Sequence, residues 1–338
     1  MTSRSLLNIL ADGKWHGRAK LLAETRLDLK SLEAELVGFP DEGLNLEVDE
    51  VRGYRLIEPL ILLDRDLIGA AISPSLQKSL ACFEVHQTID STNSQAMRWL
   101  SGGGRGQGLF LAEQQLSGRG RRGRTWVSPP ARNIYLTVVW PVPDLQSALG
   151  GLSLVTALSL VDGLRAAGVQ GGESLRVKWP NDVWLGDAKL AGILLELHGA
   201  QSSSAHVIIG MGINVSLSER DRASIDQAAT DLRSWGNSAI DRNSLVAAIL
   251  SHLEKNLQQL FVSGFEPFRA QWSRLDALHG QEVEITDGKR RLNGMVKGVG
   301  ATGALILQSD DGDQQVSGGE VAPSLRPVST AAEQSDQE

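Results

Sequence analysis

The chain has one cysteine in 338 residues, which excludes an internal disulfide, and no histidine or second cysteine adjoins Cys82 to make it a nucleophile. Cys82 is expected to be a passive packing residue. The six histidines, His16, His86, His198, His206, His252 and His279, show no metal-ligand spacing, so no protein-held metal is expected and any metal should arrive with a nucleotide. No run of about eighteen apolar residues occurs, and Met1-Thr2-Ser3-Arg4 does not lead into the apolar core of a signal peptide. A cytoplasmic protein without a membrane span is expected. Positive charge is also in deficit, with 33 Lys and Arg against 40 Asp and Glu, a net charge of -7. The remaining composition, 41% hydrophobic and 22% charged, is that of an ordinary globular chain long enough for two or three domains.

Within this acidic chain the seven residues Gly118-Arg119-Gly120-Arg121-Arg122-Gly123-Arg124 hold four guanidinium groups and three glycines. Glycine lets a backbone approach a ligand closely, and arginine offers a planar fork of donors to phosphate or carboxylate. A mobile cationic clamp for a phosphate-rich small molecule is one reading, and a solvated RNA-binding tract is the other. The flanks favour the clamp. Leu109 to Ala112 before the tract and Asn133 to Trp140 after it read as buried strands, so the tract connects ordered elements. Four like charges there are expected to need an anion before they pack.

Residues 1–64 read as a winged helix-turn-helix. Ser5 to Leu10, Arg18 to Glu24 and Ser31 to Val37 have helical character, and Leu44 to Val48 and Gly53 to Ile57 form a small β-wing. Residues 65–274 alternate strands and helices as a mixed α/β unit. Gly151 to Ala167 and Ser244 to Phe261 are helical; Leu175 to Trp179, Leu190 to Leu197 and Val207 to Val215 are strands. Residues 275–328 contain short strands between Gly-rich turns and suggest a small β-barrel, and residues 329–338 read as a polar, disordered tail.

Three segments of the middle unit carry polar chemistry. In Asp90-Ser91-Thr92-Asn93 the hydroxyls stand where a strand turns into a helix, able either to cap that helix or to grip a polar ligand head. Glu113-Gln114-Gln115 leads into the arginine tract and Thr125-Trp126 leads out of it. Lys178-Trp179-Pro180-Asn181-Asp182 and Lys189-Leu190-Ala191-Gly192-Ile193-Leu194 place two lysines, an Asp and an Asn at strand ends.

Together with Gly210-Met211-Gly212-Ile213-Asn214, these motifs in this order and spacing resemble the bacterial biotin protein ligases, over about residues 85 to 325. The N-terminal unit is similar to that of the class that also represses the biotin operon. The resemblance implies an α+β fold with a central mixed-sheet catalytic domain related to class II aminoacyl-tRNA synthetases and a C-terminal SH3-like barrel. It implies ATP, as its Mg2+ complex, and biotin as substrates, the biotin carboxyl carrier protein of acetyl-CoA carboxylase as partner, and a homodimer. It also implies roles. Ser91, Thr92, Asn93 and Gln115 would hold biotin, with Arg119, Gly120, Arg121 and Lys189. Arg119 and Arg121 would hold the carboxylate and α-phosphate, and Lys189 would follow charge between them during adenylation. Trp126, Lys178 and Asn214 would join Arg121 at the nucleotide, although Trp126 reads equally as a core residue. Asp182 would orient or deprotonate the acceptor lysine, or else pair with a basic residue.

One departure concerns the N-terminal unit. Residues 1–64 carry eight Lys and Arg against twelve Asp and Glu, and the second helix of the presumed DNA reader, Leu29 to Val37, contains Glu33 and Glu35. DNA contact favours the opposite sign, so Arg18, Lys20 and Lys30 would have to supply nearly all phosphate contacts, or the task is lost. Two rival readings are a lipoate-type ligase, against which the arginine tract speaks, and a non-enzymatic biotin-responsive transcription factor, against which the acidic second helix and Lys189 speak.

Overall fold

A computed structural model describes residues 5–142, 151–199, 205–237, 240–287, 290–310 and 312–323. The N-terminal unit has helices α1 (Leu6–Leu10), α2 (Arg18–Thr25) and α3 (Leu29–Gly38), then an antiparallel hairpin of β1 (Leu46–Asp49) and β2 (Gly53–Leu56). Asp28 starts α3 by accepting from the Ser31 amide at 2.7 Å. Leu6, Leu10, Leu21, Leu32, Leu36 and Leu56 form a core of this unit's own, joined from outside by Ala131.

The linker enters the middle unit through Leu63, buried in that unit's core, and through a set of polar contacts. Asn243 Nδ2 donates to Leu62 O at 3.0 Å and Arg242 Nη2 to Ile61 O at 2.7 Å; the amide of Leu63 donates to Glu113, and Arg242 forms a buried ion pair with the same carboxylate at 2.8 Å. Exposed pairs from Arg220 to Asp41 and from Arg233 to Glu58 add to this docking.

After α4 (Arg65–Ala71) and α5 (Pro74–Ser79), the middle unit is built on a seven-stranded mixed sheet. Its strands are β3 (Leu80–Ile89), β4 (Gln107–Gln115), β5 (Ile134–Val142), β6 (Leu175–Lys178), β7 (Asp182–Leu185), β8 (Ala188–His198) and β9 (Ala205–Ile213), in the order β3-β4-β5-β9-β8-β7-β6. The β3–β4 pair is parallel and all others are antiparallel. Helix α7 (Leu152–Ala166) is apolar nearly all round and packs on one face with α9 (Arg242–Ser263), as a helix buried on most sides must. Gly163 permits their close crossing, since a Cβ there would stand 2.6 Å from Ile249 Cα. Helix α6 (Thr92–Ser101) covers the opposite face over Phe110, Val139 and Ile208. The short α8 (Glu219–Ala223) follows β9, and α10 (Arg269–Leu275) leads to the last unit.

That unit is a five-stranded antiparallel sheet of β10 (Glu282–Asp287), β11 (Arg290–Val299), β12 (Leu305–Ser309), β13 (Gly312–Val316) and β14 (Glu320–Pro323), in the order β13-β12-β11-β10-β14. Val283, Ile285, Val296, Leu305 and Leu307 are buried in the same apolar core as α7 and α9. The C-terminal sheet is thus fastened to the middle unit by packing, where the N-terminal unit keeps a core apart. The expected elements of all three units appear within a few residues of their sequence-read bounds; the expected tail, 329–338, lies outside the described residues. Among the described residues no helix is long and apolar enough to cross a membrane.

Candidate active site

Side chains alternate across a strand, and β9 uses the alternation to prepare a binding surface. Val207, Ile209, Met211 and Ile213 point into the core beneath α7 and α9, whereas Ile208, Gly210 and Gly212 belong to the α6 face. On β8, Gly192 pairs with Gly212 and Leu194 with Gly210. The result is a patch of sheet where three glycines leave the backbone bare beside Leu194. Trp126 lies across it: a Cβ at Gly212 would stand 2.4 Å from the indole and one at Gly192 2.9 Å. Such positions admit only glycine unless the ring moves.

A cavity of about 680 Å³ opens on this patch, and it is lined by every middle-domain residue to which the resemblance gives a role: Ser91, Thr92, Asn93, Gln115, Arg119, Gly120, Arg121, Trp126, Lys178, Asp182, Lys189 and Asn214. One end is polar and uncharged. Ser91, Thr92 and Asn93, each nearly fully buried, occupy the N-terminal turn of α6. Ser91 stands at the cap position but its side chain makes no capping bond, so of the two readings of these hydroxyls the cap is not the one realised there. Instead the segment is wired to neighbouring strands. Gln115 Oε1 accepts from the Thr92 amide at 3.0 Å and lies 3.2 Å from the Thr92 hydroxyl, while Thr137 Oγ1 lies 2.8 Å from Thr92 Oγ1 and 2.7 Å from Asn93 Oδ1.

The other end is cationic. Lys189 Nζ and Asp182 Oδ1 form an ion pair at 2.9 Å with both side chains largely buried, and the ammonium stands 5.4 Å from the Trp126 ring centre. Asp182 thus has the basic partner that one of its two readings called for. Lys178 lies over Trp184 at 4.7 Å; burial, with Lys189 adding repulsion, lowers its ammonium from the usual lysine range against the pull of Asp182. Arg121 Nη1 donates to Asn181 Oδ1 at 3.0 Å, and Asn181 Nδ2 in turn donates to Ile193 O at 2.8 Å. Asn214 Nδ2 donates to Thr230 O at 3.1 Å.

Three guanidiniums of the arginine tract meet the protein's own carboxylates: Arg119 pairs with Glu196 at 3.2 Å, and Arg122 and Arg124 pair with the two oxygens of Glu320 at 3.4 and 3.0 Å. Arg121 and Arg122 also donate to the carbonyls of Gly319 at 3.3 Å and Thr286 at 3.1 Å. The C-terminal sheet therefore supplies a wall of the cavity, with Thr286 and Gly319 to Ala322 lining it. Sequence reasoning missed this wall, along with Thr137, Glu196 and the segment Ser224 to Ala229. Strand parity was the available signal for Glu196, which shares the side of β8 that carries Gly192. Nothing local signals Glu320.

Arg18, Lys20 and Lys30 lie outside this site, on α2 and α3. Arg18 donates to Tyr54 Oη at 3.2 Å and stands 3.9 Å from Glu33; Lys20 stands 3.8 Å from Glu24. Cys82 is half-buried, and burial together with Glu84 pushes its thiol up to about 11, which agrees with a passive role.

Residues 85–214 match the biotin/lipoate A/B protein ligase family, and residues 278–322 match the biotin protein ligase C-terminal domain. The bifunctional ligase/repressor BirA of Salmonella typhimurium is 33% identical, over 94% of this chain and 96% of its own. This chain belongs to the biotin protein ligase family. The biotin–[acetyl-CoA-carboxylase] ligase of Paracoccus denitrificans is 35% identical over 69% of this chain and 96% of its own, so a relative without the full length of this chain bears the ligase name. Among solved structures, the biotin protein ligase of Aquifex aeolicus in complex with biotin and ATP aligns with a TM-score of 0.59 over 72% of this chain and 98% of its own, at 24% identity, a likeness of fold.

Proposed function

We propose that the cavity carries out both half-reactions of a biotin protein ligase, an ATP-dependent enzyme that forms biotinyl-5'-AMP. The biotin carboxylate attacks the α-phosphorus of ATP, bound as its magnesium complex, and pyrophosphate leaves. The amine of an acceptor lysine, on the biotin carboxyl carrier protein of acetyl-CoA carboxylase, then attacks the acyl carbon and AMP leaves. The observation that carries this reading is the cavity's polarity, with uncharged hydrogen-bonding groups at one end, Arg119 beside them, and Arg121, Lys178 and Lys189 at the other end. A ureido ring offers two N–H donors and one carbonyl, which a buried site must pair, and Ser91, Thr92, Asn93 and Gln115 provide such partners. The valerate chain runs beside Trp126, whose ring covers Gly192 and Gly212 and offers it an apolar wall. Two anions must meet for adenylation, and the cationic end lowers that repulsion in an environment where charge is poorly screened.

Lys189 stands between the two reacting anions and Arg121 holds the α-phosphate, with Lys178 and Asn214 on the nucleotide side. Asp182, once Lys189 turns to the phosphate, is free to orient the incoming amine or take its proton. No enzyme nucleophile is needed. The N-terminal unit, residues 1–64, is a winged helix-turn-helix, residues 65–274 form a catalytic domain related to class II aminoacyl-tRNA synthetases, and residues 275–328 form an SH3-like barrel. A homodimer in the cytoplasm, with operator DNA as a second partner of the N-terminal unit, completes the proposal. Incubation with biotin, Mg-ATP and a carrier domain should release AMP and add one biotin to a single carrier lysine. Transfer of lipoate in place of biotin, or no transfer of either, would overturn it.

A further inference from the structure

A carboxylate that does not itself line the cavity joins two of the groups that do. Glu196 Oε2 accepts from Asn93 Nδ2 at 2.7 Å and lies 3.2 Å from Arg119 Nη2, so a single oxygen touches both the uncharged end and the arginine tract. We propose that Glu196 is a positioning residue for biotin, fixing the orientation of the Asn93 carboxamide and holding Arg119 over the cavity. This rests on the assignment of Asn93 and Arg119 to the biotin end of a ligase site.

The two ends of a carboxamide have opposite hydrogen-bonding character, so something must decide which way a buried asparagine points. Asn93 is 4% exposed and its oxygen faces Thr137 Oγ1 at 2.7 Å. A hydroxyl can donate or accept and cannot decide alone. Leu194 O is an acceptor but stands 3.5 Å from Nδ2. An ionised Glu196 only accepts, at close range, and so commits Nδ2 to itself and Oδ1 to Thr137. Thr137 then donates to Asn93 Oδ1, which leaves its own oxygen to accept from the Thr92 hydroxyl at 2.8 Å. Glycine at position 210 makes this arrangement fit, because a Cβ there would stand 2.2 Å from Asn93 Oδ1. On its second side Glu196 pins Arg119, whose guanidinium also reaches Ser94 Oγ at 3.4 Å. The arginine tract is thereby anchored at its first guanidinium to the same carboxylate that sets the polarity of the ureido end.

The test compares Glu196→Ala and Glu196→Gln with the parent in biotin binding, steady-state kinetics and amide hydrogen exchange over residues 118–126. Glu196→Ala should raise Kd and KM for biotin about tenfold, the loss expected for a buried donor left without its acceptor, with kcat and the KM for ATP within about twofold of the parent. Exchange across the arginine tract should quicken in the ligand-free protein. Glu196→Gln can still present an oxygen to Asn93 but offers Arg119 no charge, so biotin affinity should recover to within about threefold while the fast exchange persists. Unchanged biotin affinity and exchange in Glu196→Ala, or an equal loss in kcat and both KM values with a falling Tm, would overturn the proposal. A parent that makes no biotinyl-AMP would instead remove the ligase reading on which it rests.

Discussion

The N-terminal unit and the central cavity place basic side chains beside carboxylates in different surroundings, and the surroundings decide what the charges can do. On α2 and α3, Arg18 and Lys20 stand 3.9 and 3.8 Å from Glu33 and Glu24, and the Arg18, Lys20 and Glu33 side chains are half exposed. Water screens such pairs, whose worth is at most about 1 kcal/mol, and each carboxylate cancels a charge that could face a phosphate. In the cavity the Lys189–Asp182 pair is 14% and 17% exposed, with Lys178, Arg121 and the Trp126 ring around it. There each charge acts at nearly full strength on its neighbours. The same residue types thus make a solvated surface in one unit and a largely buried charged cluster in the other.

The contrast is tested most severely at Lys189. Lys189→Ala removes a charge whose interaction grows toward the adenylation transition state, so biotinyl-AMP formation should fall about 100-fold or more, measured as pyrophosphate release in a single turnover. A variant that adenylates at the parent rate would place Lys189 on a par with the surface lysines.

The N-terminal unit is tested by reversing its sign. At about 150 mM salt the adenylate-loaded parent should bind duplex DNA of its biotin-gene promoter no more tightly than micromolar, because Glu33 and Glu35 on α3 oppose counterion release. Replacing both with lysine should strengthen binding about tenfold and steepen the dependence on salt by up to about two phosphates' worth. Submicromolar, sequence-selective binding by the parent in a titration against a scrambled duplex would show that the few basic side chains suffice.

The smallest effect is expected at the rim. Arg98 grips Asp90 through two bonds at 2.7 and 2.8 Å, and this pairing holds the Asp90 carboxyl down to about 2. A carboxylate whose value is lowered on folding stabilises the fold above its unfolded value near 3.9 and loses that contribution as the pH falls through about 2. Both side chains are about half exposed, which limits the gain to under about 1 kcal/mol. Asp90→Asn should therefore lower stability slightly at pH 7 in denaturant titrations, and the difference should close below pH 4. A difference that widened with acid would refute the pairing.

Sequence alone determined the elements and part of the lining of the site. The short apolar run from Val207 and the nearly unbroken apolar helix Leu152 to Ala166 are local patterns, so short stretches suffice to read them. The motifs and the resemblance they carry likewise named twelve residues that the folded chain brings to one cavity, most of them at or beside the ends of strands and helices whose positions their own neighbours fix. Only the tertiary structure decided who pairs with whom. Glu320 reaches Arg122 and Arg124 from the C-terminal sheet, Arg121 finds Gly319 O 198 residues away, and Glu196 joins Asn93 to Arg119 across three separate elements. A carboxylate's local sequence carries no mark of the cation it will meet, because that choice follows from how the sheet and its loops close over long separations. The arginine tract shows the difference most directly. Its charge was legible as a demand for anions, and the fold met part of that demand with the protein's own carboxylates.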